Sequence, residues 1–307
     1  GATYVFVTQA DGNQVAQLHL RGDGAGKVTA EVVRRISVPA VSDDPSDSQS
    51  EGIVVDRELG FLYVAVEDGV EEGIAIAKYA AAPEGGDNPE PLLLLPANAL
   101  LPDVEGLTIY YGPDSSGYLL ASSQGDSTYA VYDRAGDNSY LGSFAVGGIE
   151  GIDPANESDG ADIINVALGD TFPYGLLVVQ DGANDPQVAA VDDEELENRS
   201  TNFKFVPWEN AANAFEPPLL IDPESYQARP TKPSTGGAVG SQGEAPISLT
   251  VMTYNVWGGG ANADKSVDEL AEFVFVQAFQ DMHRRTREQG GIDFERGVLG
   301  GCTDEGN

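Results

Sequence analysis

Oxygen donors at recurring positions are the first chemistry this sequence offers. Glu51, Glu105 and Asp159, each followed by glycine, are spaced 54 and 54 residues apart. Asp103 stands two places before Glu105, and Glu67 and Gln124 lie beside Gly69 and Gly125 in corresponding places of neighbouring segments. Carboxylate and amide oxygens that converge are the ligand set of a hard cation such as Ca²⁺. Crowded carboxylates without basic partners raise one another's pKa, and a bound divalent cation removes that cost. Taken singly, each of these acids reads as a turn cap or a solvent-facing residue. Their common phase is what carries the metal reading.

The elements that must position them are short strands. Residues 103–125 read as two apolar β-rich runs around a Gly/Pro/Asp/Ser turn, a hairpin signal. In an antiparallel hairpin the start of one strand lies beside the end of the next, so Asp103, Glu105 and Gln124 should share one end. The turn glycines Gly12, Gly69, Gly125 and Gly182 repeat at spacings of 57, 56 and 57. Each period holds a strand opening at the acidic-Gly pair, one ending at the turn glycine, an alternating third and a fourth. Four antiparallel strands per repeat of this length are the pattern of a β-propeller blade; a β-sandwich with coincidental spacing is the alternative. About three and a half blades fit before residue 215, so we expect further blades upstream of Gly1. In a propeller, equivalent loops meet around one end of a central channel, which makes Glu51, Glu105 and Asp159 a set facing that channel.

Composition narrows the function. The 307 residues carry 50 acidic and 16 basic side chains, a net charge of −34. That charge opposes binding to a nucleic-acid backbone and favours cations. An anionic substrate would need bound metal or the few basic residues to offset repulsion. Cys302 is the one cysteine, so no disulfide framework exists. No apolar run of the roughly 18 residues that begin to suggest a membrane span occurs, and no signal-peptide pattern stands at Gly1. The two histidines are His19 and His283, and His19 reads as a solvated strand residue.

At these residues the chain resembles the β-propeller phytases, the calcium-dependent alkaline type. The resemblance rests on Ser48-Gln49-Ser50-Glu51-Gly52, Leu62 to Asp68, Asp103 to Tyr111, Gly117 to Gly125, Tyr129 to Arg134, Phe172 to Leu176, Val179 to Gly182, and Asn202 to Glu209. It implies the C-terminal two-thirds of a six-bladed propeller, with about four blades present. It also implies several Ca²⁺ ions at the channel mouth, which hold the phosphates of phytate while a metal-bridging water attacks phosphorus. By that match Glu51, Glu67, Asp103, Glu105 and Gln124 are calcium ligands, and Asp159 is a further acidic residue at the mouth. Glu150, Gly151 and Asn184 correspond to part of a structural calcium site. Ala10 stands where the family carries a phosphate-binding lysine, and Ala183 where it carries a structural-calcium carboxylate. Lys78 reads as the end of a strand rather than as a phosphate ligand. A secreted or periplasmic, monomeric enzyme is the expectation, with a non-catalytic calcium-stabilised binding propeller as the alternative.

The all-β propeller is assigned to residues 1–228. Residues 229–246 form a Gly/Pro/Ser-rich linker. Residues 247–307 open with the strand-like Ile247 to Trp257, which resembles the start of the endonuclease/exonuclease/phosphatase superfamily and would make Asn255 its metal-proximal residue. Beyond Leu270 that likeness fails, and we expect a short, incomplete and poorly ordered segment.

Overall fold

The computed structural model describes residues 2–9, 12–24, 27–42, 48–70, 73–97, 100–149, 151–186, 189–192, 195–198, 200–224 and 250–254; for 189–198 and 250–254 it describes the backbone alone. The chain is all-β and forms a partial β-propeller. Its second blade is β4 (Ser50–Asp56), β5 (Phe61–Val66), β6 (Ile74–Ala80) and β7 (Leu93–Pro96), in that order and antiparallel. The third repeats the pattern with β8 (Val104–Tyr111), β9 (Gly117–Ser123), β10 (Thr128–Asp133) and β11 (Tyr140–Ala145). Both match the four-strand period read from the sequence.

The outer repeats depart from it. The first blade has β1 (Thr3–Thr8), β2 (Gln14–Gly22) and β3 (Val28–Ser37), and its fourth strand is β17 (Thr250–Tyr254), which pairs in parallel with β1. The fourth blade is β12 (Ala161–Ile164), β13 (Leu176–Asp181) and β16 (Asn202–Pro207), with the hairpin β14 (Ala189–Asp192) and β15 (Glu195–Asn198) between β13 and β16 in sequence. A five-residue helix, α1 (Trp208–Ala212), follows.

Strand alternation explains how the blades stack. Successive residues of a strand point to opposite faces, so a strand buried on both faces serves two neighbours. On β5, Leu62 and Val64 join Phe6, Val15 and Ile36 of the first blade, whereas Tyr63 and Ala65 join Leu107, Ile109 and Leu119 of the third. On the third blade, Leu120, Tyr129 and Val131 meet Ile163, Leu177 and Val179 of the fourth, together with Trp208. Trp208 stacks on Tyr110 with ring centroids 4.7 Å apart and donates its Nε1–H to Leu220 O.

The end of β4 remote from Glu51 is fixed by charge. Arg134 and Asp56 are fully buried and paired, Nε to Oδ2 at 2.6 Å and Nη2 to Oδ1 at 2.8 Å. Arg134 also donates to Glu58 and to Ser116 O, and lies over the Tyr111 ring at 4.4 Å. This pairing ties the second blade to the third and fixes their relative rotation. Among the described residues no helix is long and apolar enough to cross a membrane.

Candidate metal centre

Two glycines decide how closely the acidic positions approach. Both acidic-Gly pairs interrupt their strand pairing: the register shifts between Ser50 and Ile53 on β4, and between Val104 and Leu107 on β8. A bulge of this kind bends the strand and re-aims the side chain it carries. A Cβ added at Gly52 would overlap the Glu105 carbonyl, and one at Gly106 would come 2.5 Å from Gly160 Cα. The bare backbones of successive inner strands therefore touch, which sets Glu51, Glu105 and Asp159 in consecutive places along the rim.

Backbone bonds tie the remaining positions to this rim. Gln124 N donates to Asp103 O at 2.9 Å, which places the start of β8 beside the end of β9 as the hairpin reading required. Val104 N donates to Glu67 O at 3.1 Å, and Glu67 N donates to Gln49 O at 3.1 Å. Glu67 of the second blade is thus bound directly to the mouth of the third. On the far side, Ser122 Oγ donates to Ser158 O at 2.6 Å, Asp159 N donates to Gln180 Oε1 at 2.8 Å, and Gln124 Nε2 donates to Asp159 Oδ1 at 2.6 Å.

The electrostatics show that these groups form one cluster. Glu51 and Glu105 are buried, Glu67, Asp103 and Gln124 half-buried, and Asp159 stands at the exposed lip. Burial pushes the Glu105 carboxyl up to about 9, reinforced by Glu51, Glu67, Asp159 and Asp103. Burial likewise raises Glu67 to about 7, with Glu51 and Asp103 adding to it and the Gln49 amide opposing. Partial desolvation raises Asp159, against its bond from Gln124. Five carboxylates brought this close repel one another, at an electrostatic cost.

Such all-oxygen donors fit calcium. Among the described residues, no three acidic, His or Cys side chains are already gathered into a cage. The amide of Gln49 lies between two of the carboxylates instead, donating Nε2–H to Glu51 Oε1 at 2.5 Å and to Glu67 Oε2 at 2.6 Å. The sequence reading missed Gln49 as a functional residue. Its signals were a place two residues before Glu51, just ahead of β4, and membership of a stretch that carries the family resemblance.

Of the residues expected at a structural calcium site, Gly151 and Asn184 are described. Gly151 is exposed in a turn closed by Ile149 and Ile152, whose N–H groups donate to each other's carbonyls at 2.9 and 2.7 Å. Asn184 instead shares a corner with Asp153, Asp181, Asn202 and Lys204. Lys78 sits within β6 rather than at its end, donates to Asn138 Oδ1 at 2.8 Å and lies 4.1 Å over the Phe61 ring. Half-buried His19 lies in β2 against Tyr4. Ala10, Glu150 and Asn255 lie outside the described residues.

A model of the phytase family matches residues 1–232. The 3-phytase of Bacillus subtilis (strain 168) is 40% identical over 212 residues, covering 69% of this chain and 50% of that protein. The chain therefore spans about half the length of this curated relative. The solved structure of a β-fructofuranosidase from Schwanniomyces occidentalis, complexed with fructosyl-erythritol, covers 67% of this chain and 47% of its own at 10% identity and a TM-score of 0.33, a likeness too weak to argue from.

Proposed function

The chain belongs to the phytase family, and from that premise we propose that it takes part in calcium-dependent hydrolysis of the phosphate monoesters of phytate. The observation that carries this reading is the close packing of the inner strands at Gly52 and Gly106, with Gln49 bridging Glu51 and Glu67, which brings acidic side chains of successive blades to one rim. A polyanionic substrate would be repelled by that rim unless cations were bound there.

Glu51, Glu67, Asp103, Glu105, Gln124 and Asp159 are the residues that would hold calcium. Calcium, when bound, supplies positive charge to phosphate oxygens and acidifies water. The chain's own residues do the rest. Gly52 and Gly106 bring the inner strands together, Gln49 orients Glu51 and Glu67, and Gln124 fixes Asp159. Burial and the crowding of its neighbours favour the protonated form of the Glu105 carboxyl. A secreted or periplasmic monomer suits this chemistry, since it needs free calcium and a soluble substrate.

Inorganic phosphate released from sodium phytate, followed in calcium chloride and in EGTA, tests the proposal. Release in calcium that stops in EGTA, and in Glu51→Gln, is expected. Calcium binding with no release would make the chain a calcium-stabilised binding module instead.

A further inference from the structure

The corner that holds Asn184, one of the residues the resemblance assigns to a structural calcium ion, already contains a cation. Lys204 points inward from β16, between the exposed Phe203 and Phe205, and is itself buried. Its Nζ lies 2.5 Å from Asp153 Oδ1, 2.9 Å from Asp181 Oδ2 and 3.1 Å from Asn184 Oδ1. An ammonium has three N–H donors and no acceptor; Asp153 and Asn184 accept two of them, and the Asp181 carboxylate faces it as an ion-pair partner. The other carboxylate oxygens are also committed: Asp153 Oδ2 accepts from Asp185 N at 2.7 Å, and Asp181 Oδ1 accepts from Asn156 N at 3.0 Å.

Asp181 Oδ2 makes the case for charge. Asp181 is fully buried, and this oxygen accepts no well-formed hydrogen bond, so the ammonium stands against it through proximity alone. Calcium would need six to eight oxygens at about 2.3–2.6 Å. Placed among these three, it would also lie against Nζ, and like charges in contact repel. The carboxylate that the family supplies here is Ala183 in this chain. The residues present do not fit the metal.

We propose that the Lys204 ammonium is the resident cation of this corner, taking the place of a structural metal ion and making the fourth blade independent of calcium there. The inference does not rest on the rim: it concerns the difference in bound ions between variants, whatever the rim binds.

Calcium chloride titrations of the full chain and melting in EGTA provide the test, with Lys204→Met and Asp153→Asn as variants. Asp153→Asn is expected to bind as many calcium ions as the native chain. Lys204→Met leaves the buried Asp181 carboxylate without this counter-charge, so its Tm in EGTA should fall by roughly 5–15 °C, and Lys204→Arg should recover part of that loss. Loss of one bound calcium ion in Asp153→Asn would overturn the proposal. So would a Lys204→Met chain that melts in EGTA at the native temperature.

Discussion

Gly52 lies flat against the backbone of Glu105: a Cβ added there would stand 2.8 Å from the Glu105 carbonyl carbon and closer still to its oxygen. Neither backbone can retreat, because each belongs to an inner strand hydrogen-bonded into its own blade. Gly52→Ala should therefore cost about 3 kcal/mol, the upper range for overpacking, and spread the rim. Chemical denaturation measures the loss. A variant as stable as the native chain would show that the inner strands are not in contact there.

The raised carboxyl groups set a pH dependence in the absence of metal. Glu67 rises from 4.5 to about 7 and Glu105 from 4.5 to about 9. Between these limits the folded chain keeps protons that the unfolded chain has released, so stability falls as pH rises. In EGTA, Tm should decline from pH 5 to pH 9. Calcium requires the ionised carboxylates, so saturating calcium should flatten or reverse that decline.

Gln49 is expected to act as a positioning residue. Its amide joins Glu51 to Glu67. Replacing it with leucine leaves two carboxylates free to splay, and calcium affinity should fall about 10- to 100-fold, as for other groups that orient metal ligands. Calorimetric titration separates this from a general loss of fold, since the Tm in EGTA should change little by comparison.

Arg134 carries no chemistry, and its loss should be felt in stability alone. Removing one partner of a buried pair strands the other charge, at about 3–5 kcal/mol. Arg134→Met is expected to lose that much, because Asp56 remains fully buried without a counter-ion. Equilibrium unfolding in the presence of calcium checks it.

The repeat was legible because a propeller writes its geometry into the spacing. Glu51, Glu105 and Asp159 recur once per blade, and the inner strands that carry them do meet. The hairpin from Asp103 to Gln124 was legible for the same reason, since its register follows from two apolar runs and a turn. Gln49 was not, because an amide between two carboxylates leaves no pattern of its own and its aim depends on the bulge after it. Asp153 was not legible because it stands at no repeat position and joins Asn184's corner only through the fold of the loop around it. The pairing of β17 with β1 could not be read either, because Thr250 to Tyr254 belongs to no repeat.

The central claim is that the rim of the second, third and fourth blades is a calcium site. Calcium titration of the native chain beside Glu105→Gln at pH 7 tests it most directly. Glutamine resembles the protonated carboxyl that Glu105 already holds at that pH without metal, so the variant should fold and melt in EGTA much as the native chain does. Its calcium affinity should nevertheless fall by at least about tenfold, with fewer protons released on binding. Equal calcium affinity and equal proton release in the two chains would contradict the account.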